Sequence, residues 1–440
     1  MTPATIAPNV IPPFMKKRNL HPFLFVFFSF LLLFHVMLFW HAKGDALQGS
    51  ADFSAFYAAV RMVRGGQGSQ LYDIAAQGRS QSELFPDIPT RTGTLIYLHP
   101  PFEALLYLPL AYVSYPVAYA IWAMVNILLL LLTVALLSPY TTGLKAVWRP
   151  LPLLIFLGFF PVFINVLQGQ DSLWLLFVFA LAFDSLKKGR PLRGGIFLGI
   201  GLFKFQYALP LLVPFILWRR WKVIGGFAIS AALLLLLSLP VAGVQGTVSY
   251  AAFLLNLTRV LSTSRHVQSV VSIMSNTMPN IHGVVEMLIP NLFFPGFQKL
   301  AIVLLSGGAV LWAAAKWPLR RSLSELRFDL GFSLALVASI LVSYHLLLHD
   351  LSLLLIPFVL VLNHVLKGEG QTGIMRSALY GLLLLFYLSP LYLLLMHLQL
   401  MYLLFWPILF LAIVLSREIV SDANDEAGPG NVPGLVDTAP

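Results

Sequence analysis

Long runs of apolar residues dominate the chain, separated by short polar stretches. The first covers Phe23–Trp40, and others follow at about 101–113, 117–138, 150–167, 172–186, 194–218, 222–242, 299–317, 330–348, 351–366, 374–395 and 398–416. Most approach the ~20 residues a helix needs to cross a bilayer. They are continuous rather than alternating, which points to helices and excludes the strands of a membrane barrel. The pattern predicts an all-α polytopic membrane protein, a bundle of about 11–13 transmembrane helices with outward-facing loop helices.

The polar punctuation orients this bundle. Lys16, Lys17 and Arg18 precede the first run, which is longer than the ~7–15-residue core of a cleaved signal peptide. Residues 1–19 therefore read as a cytoplasmic tail before an uncleaved first helix. Basic clusters at Lys145/Arg149, Lys187–Arg193, Arg219–Lys222, Lys316–Arg321, Lys367/Arg376 and Arg417 are assigned to the inner face. The transmembrane domain spans 20–416, and the acidic, Pro/Gly-rich segment 421–440 reads as a disordered cytoplasmic tail. Two stretches leave the number of crossings open. In 99–138 an odd number is required, so one of two runs is re-entrant. In 194–218 one crossing conflicts with the charge rule, whereas two short passes meeting near Lys204 satisfy it.

Composition narrows the class further. Hydrophobic residues make up 58% and charged residues 10%, against roughly half and a quarter in soluble domains. A soluble enzyme or nucleic-acid reader is excluded, and the net charge of +10 follows from the inner loops. With no cysteine there is no disulfide, thiolate metal site or thiol nucleophile.

Two long non-spanning segments, 43–98 and 243–297, fall on the outer side, and long loops in compact proteins tend to be functional. The first holds Asp45, Asp52, Asp73, Glu83 and Asp87. After Asp52, the positions Phe53, Phe56, Tyr57, Val60 and Val63 share one helical face, Arg61 and Arg64 occupy the last turn, and Gly65 can cap it. This predicts an amphipathic helix on the outer leaflet with Asp52 at its start. Asp52 then has two compatible readings, an N-cap and a general base. The stretch from Gly68 to Tyr72 and Asp73 reads as a turn.

Further along, His99 and Glu103 are spaced i, i+4 after Pro100 and Pro101, as a site pair or as interfacial polarity. Asn165, Gln168, Gly169, Gln170 and Asp171 form a polar turn suited either to chain reversal or to sugar hydroxyls. Lys204 lies within an apolar run, where a charge costs about 2.5–3.5 kcal/mol, and nothing acidic is near it in sequence. A lipid-linked phosphate would suit it, with Gln206 as a second donor; a lysine snorkelling to a membrane boundary is the plainer alternative. The second outer segment carries Arg259, Arg265, His266, Gln268, Ser269, Asn276, Asn280 and His282 against Glu286, a surface for an anion or simply a solvated loop. Finally, His345 and His349 fall four apart beside Asp350. A metal site there is the weaker reading, and a hydrogen-bonding or proton-handling role is preferred.

Taken in order, these motifs resemble the polyprenyl-phosphate-sugar-dependent glycosyltransferases of the GT-C superfamily, and most nearly glycosyltransferase family 87, which includes bacterial mannosyltransferases of phosphatidylinositol mannoside synthesis. The resemblance covers roughly 20–416. It rests on Asp52, Tyr57 and Ala59, Gly65-Gly66 with Leu71-Tyr72-Asp73, and His99-Pro100-Pro101-Phe102. It continues through Gln168-Gly169-Gln170-Asp171, then Gly194-Gly195, Gly199 and Lys204-Phe205-Gln206, to His349-Asp350. Two departures are present: Phe205 stands where the family usually has proline, and His349-Asp350 stands where members vary between His-His and Tyr-Asp.

The resemblance implies that Asp52 deprotonates an acceptor hydroxyl, which attacks a polyprenyl-phosphate sugar with inversion. It implies that Lys204, with residues of 243–297, meets the phosphate. It further implies that Tyr57, Tyr72, His99, Gln170, Gln206, Arg265, His266, His345, His349 and Asp350 bind substrate. The expected sugar is a hexose or pentose, with mannose favoured, and the acceptor is a lipid or glycan. Neither cofactor nor metal is expected, and no nucleic-acid partner. The expected location is a bacterial-type plasma (inner) membrane, with the site facing the outside or periplasm. The rival class is a lipid or sugar transporter or flippase, favoured by Lys204 and the proline-broken run; polar residues gathered at one face, rather than at a midplane between repeats, speak against it. A structural assembly protein is the third reading, in which Asp52 is only a cap.

Overall fold

The structure, a computed structural model, describes residues 17–86, 94–263, 275–289, 296–319, 323–368 and 373–426. Every regular element among them is helical, as the unbroken apolar runs require. Among the described residues, seven stretches are long and apolar enough to cross a membrane, or up to nine if each of two bent pairs is one span.

That number is below the 11–13 expected, because several apolar runs fold as short pieces. The run after Pro100 and Pro101 breaks into Pro101–Glu103, Ala104–Tyr107 and Leu108–Tyr112, prolines removing the donors a continuous helix needs. Tyr115–Tyr140 is then the span of the 99–138 stretch. Leu151–Leu157 and Phe160–Gln168 meet at 53°, and Leu379–Phe386 and Ser389–His397 at 64°, with Pro161 and Pro390 opening the second helix of each pair. In 194–218 the break near Lys204 is a 3-10 turn, Gly201–Lys204, between Pro191–Ile200 and Phe205–Leu217. The two halves continue as one stretch of 27 residues rather than as two passes.

The glycines before this break serve helix packing. A Cβ on Gly195 would lie 2.0 Å from the Val223 carbonyl oxygen, and one on Gly226 2.1 Å from that of Leu192. Without side chains the two backbones touch, as small residues allow between membrane helices. The Ser230 hydroxyl donates to the Ile196 carbonyl at 2.8 Å across the same contact.

Two apolar cores result. The larger runs through the helices between 130 and 215 and between 330 and 415. The smaller gathers Phe53, Phe56, Tyr57, Tyr107, Tyr115, Tyr119 and Trp122. This second core corrects the expected leaflet helix. Phe53–Arg64 is buried on nearly every side, including Ala55, Ala58 and Met62 on its presumed outer face. Helix Ile74–Leu84, the 101–112 pieces and the 115–137 helix pack around it. Gly65 caps it, its N–H donating to the Arg61 carbonyl at 3.0 Å, and Gly66 follows in the left-handed region (φ 76°). The expected second outer loop also begins as helix: beyond a kink at Gly243, whose positive φ of 68° suits glycine, the chain stays helical to Thr263.

At one end of the bundle Lys187 pairs with Asp329, whose other oxygen lies 2.9 Å from His364 Nε2. This buried cluster ties three helices about 22 Å along the axis from Ser172. The polar cavity lies at the opposite end.

Candidate active site

The site is organised by the turn that joins Phe160–Gln168 to Ser172–Lys187. Gly169 adopts a left-handed conformation (φ 63°, ψ 37°), and a Cβ there would lie 2.6 Å from Phe53 Cβ. Only glycine satisfies both the dihedral and the approach. The Gln170 carbonyl accepts from Trp122 Nε1 (3.3 Å), Asn126 Nδ2 (3.1 Å) and Asn165 Nδ2 (3.2 Å). Asn165 Oδ1 in turn accepts from the Ser172 N–H at 3.0 Å.

The two glutamines of this turn hold Asp52 from both sides. The Asp52 backbone N–H donates to Gln168 Oε1 at 3.1 Å, and Gln170 Nε2 donates to Asp52 Oδ2 at 2.8 Å. Asp52 does precede the 53–64 helix, but its side chain makes no capping bond. The carboxylate of Asp52 therefore does not serve as the cap, and the residue lines a cavity.

That cavity has a volume of about 480 Å³. Asp52, His99, Gln170, Lys204, Gln206, His345, His349 and Asp350 all line it, with Phe203, Phe205, Leu254, Leu347, Leu348, Met396 and Met401 forming apolar wall. Tyr57 and Tyr72 stand outside it. The Tyr57 hydroxyl donates to the Val113 carbonyl at 2.8 Å, and that of Tyr72 to the His99 carbonyl at 2.8 Å. Arg265 and His266 lie outside the described residues, as do Asp87, Gln268 and Ser269.

Lys204 is 4% exposed and is compensated. Its ammonium lies 2.7 Å from Asp171 Oδ1 and 2.6 Å from Asp350 Oδ1, and donates to Ser172 Oγ at 2.8 Å. The Ser172 hydroxyl also donates to Asp350 Oδ1 at 2.6 Å. No acid is near Lys204 in sequence, and the fold brings both carboxylates from distant parts of the chain, so the alternative of a lysine snorkelling to a membrane boundary is corrected here.

Behind His99 a second polar group continues this network. His99 Nδ1 lies 2.7 Å from Glu103 Oε2 and 3.5 Å from Asp171 Oδ2. Burial, then the negative Asp171, holds the Glu103 carboxyl well above the usual range. For Asp171 burial acts in the same direction, but Lys204 and His99 outweigh it and keep the carboxyl below its ordinary value. Burial lowers His99 to about 4, against the pull of Asp171. The imidazole is therefore neutral at neutral pH, while burial favours the protonated form of Glu103 and Lys204 the ionised form of Asp171. One imidazole and two carboxyls within 4.8 Å of one another are a donor set for a divalent cation. The Lys204 ammonium already supplies a positive charge at Asp171.

His345 and His349 do not share a helical face. The helix from Glu325 ends at Val342, and the chain restarts as a 3-10 turn at Leu348. Asp350 Oδ2 accepts from the Leu347 N–H at 3.1 Å and fixes that restart. Burial lowers His345 to about 4, and His349 Nε2 lies 3.6 Å from Asp350 Oδ1.

The described part of the second outer segment braces this rim. Asn280 caps helix Ile281–Leu288 through the Gly283 N–H, and its Nδ2 donates to the Ser343 carbonyl at 2.8 Å. His282 bonds the Tyr344 carbonyl through Nδ1 (2.8 Å) and Glu286 through Nε2 (2.9 Å). Sequence reading also missed Gln77 and Gln81. Both are buried, and their amides bond the backbone at Leu95 and Tyr97, holding the extended segment that leads to His99. Their i, i+4 spacing was the available signal.

A family model, glycosyltransferase family 87, matches residues 97–343, more than half of the 440-residue chain. The chain belongs to glycosyltransferase family 87. It is a membrane glycosyltransferase, acting on a sugar donor and an acceptor. No curated protein and no solved structure matches it. The family 87 match encloses His99, the 168–171 turn, Lys204 and Gln206. Asp52 precedes it and His345, His349 and Asp350 follow it, so those four reach the same cavity through the fold.

Proposed function

We propose that the protein is an inverting glycosyltransferase that moves a hexose or pentose, with mannose favoured, from a polyprenyl-phosphate sugar to a lipid or glycan hydroxyl. The site would face the outside of a plasma (inner) membrane. The observation that carries this reading is the Asp52 carboxylate, which lines the cavity and is held by Gln170 instead of capping its helix.

In this reading Asp52 accepts the acceptor's hydroxyl proton as the oxygen attacks the anomeric carbon. The bond from that carbon to the phosphate oxygen breaks, and the lipid phosphate leaves with the electron pair. Asp52 then returns its proton to water. The start of the Phe205–Leu217 helix supports a phosphate there, because Lys204, which immediately precedes it, lines the cavity and the dipole of a helix N-terminus attracts anions. Lys204, balanced by two aspartates, adds geometry more than net charge. The same pairing removes the main support for a transporter, since the intramembrane lysine has protein partners.

The test is transfer of labelled sugar from polyprenyl-phosphate mannose, glucose or arabinose to a membrane lipid extract by wild type and Asp52→Asn. Product from wild type that is lost in a folded Asn variant supports the reading. Equal turnover in the two removes Asp52 from the chemistry.

A further inference from the structure

We propose that Gln170 is a positioning residue for the transfer, acting through Asp52 rather than on the sugar. The inference rests on Asp52 being the base. The expected role of Gln170 is substrate binding, yet its amide nitrogen donates to Asp52 Oδ2 at 2.8 Å. The residue is itself 7% exposed, and its backbone cannot drift, because three buried donors converge on its carbonyl. The preceding Gly169 is pressed against Phe53, the residue next to Asp52. Gln168 fixes the Asp52 N–H from the other side. The turn and the start of the 53–64 helix therefore move as one body, and the Gln170 amide selects the rotation of the carboxylate within it.

A general base works only within hydrogen-bond reach of its proton, and small misplacement of a reacting group costs rate steeply. An amide donor also favours the ionised carboxylate. Losing that donor therefore loosens the orientation of the carboxylate and makes it easier to protonate. A sugar ligand would behave differently, because its loss would weaken substrate binding.

The full-length protein in lipid nanodiscs would be compared as wild type, Gln170→Ala, Gln170→Glu and Asp52→Asn, using the same donor panel and lipid extract. Thermal unfolding controls for folding. The expected result is a kcat lower by about 10- to 100-fold in Gln170→Ala, with KM for donor and acceptor within about twofold. Gln170→Glu, the same size but without the donor and with a charge facing Asp52, should be slower still. A residue that merely fills space would give the opposite order. In parallel, modification of Asp52 by dicyclohexylcarbodiimide, which attacks protonated carboxyls, is followed by mass spectrometry without any donor sugar. Labelling should be faster in Gln170→Ala, by about tenfold, and absent in Asp52→Asn.

A rise in KM at unchanged kcat would make Gln170 a substrate ligand and overturn the proposal, as would wild-type kcat in Gln170→Ala or an unchanged labelling rate. Full turnover by Asp52→Asn would instead sink the base reading, and the labelling comparison would still report whether Gln170 governs the carboxylate.

Discussion

The ammonium of Lys204 lies 2.6 Å from Oδ1 of Asp350, a residue 146 positions further along the chain. Asp171 approaches the same ammonium from a third helix at 2.7 Å. One buried cation thus joins the 3-10 break in the 191–217 span to the starts of the 172–187 and 348–367 stretches. This arrangement makes the charge in the apolar run tolerable, and it sets the cavity wall on which His99, His349 and Gln206 stand.

Removing that cation should be a folding defect first. Lys204→Met leaves two buried carboxylates facing each other, a change expected to cost about 3–5 kcal/mol. Adding Asp350→Asn should recover part of the loss, because the two residues are coupled. Thermal unfolding of the single and double variants checks this. An unchanged melting temperature with raised donor KM would assign Lys204 to the phosphate instead.

The contact between the 191–200 helix and the helix beginning at Trp221 gives a second, local test. Gly226→Ala places a methyl 2.1 Å from the Leu192 carbonyl oxygen, whereas a methyl on the adjacent Gly225 meets nothing within 4 Å. Gly226→Ala should destabilise by about 1–3 kcal/mol, and Gly225→Ala should be neutral or slightly stabilising. Equal melting of the two variants would contradict the close approach.

Much of this was readable locally. Unbroken apolar runs announce a helical membrane bundle, and the polar turn at 168–171 and Asp52 stand out in any single pass. Other features depend on what packs against what. The period of Phe53, Phe56, Tyr57 and Val60 marks one apolar face, but the sequence does not show that other elements cover the opposite face as well. His345 and His349 have helical spacing, yet the chain leaves the helix at Val342, and Asp350 caps the restart at Leu347. The partners of Lys204 were hidden by their distance along the chain. Gln77 and Gln81 look like ordinary surface residues until the extended segment at 94–98 is laid beside them.

The brace between helix 281–288 and the cavity rim should depend on pH. Burial opposes the charge on His282, but Glu286 and the Tyr344 carbonyl outweigh it, so its folded value is raised above 6.5. His282, with help from Ser275 and against burial, lowers Glu286 below 4.5. The histidine contributes fully below about 6.5 and loses its contribution as pH rises through its raised value. The glutamate contributes fully above about 4.5 and loses its contribution as pH falls through its lowered value. The brace is therefore strongest between those two pH values. Hydrogen exchange across 281–289, corrected for intrinsic rates, should show more protection at about pH 5.5 than at about pH 8.5. Glu286→Gln should abolish the difference, and equal protection in wild type at both pH values would contradict the account.

In the proposed transfer the carboxylate of Asp52 takes the acceptor's proton. That role is tested most directly by the rate of labelled-sugar transfer in purified Asp52→Asn beside wild type. Asparagine keeps the size of the residue and its backbone bond to Gln168, so helicity and melting should be preserved. The expected result is a loss of at least about 100-fold in kcat. Wild-type turnover in a normally folded Asp52→Asn protein would contradict it.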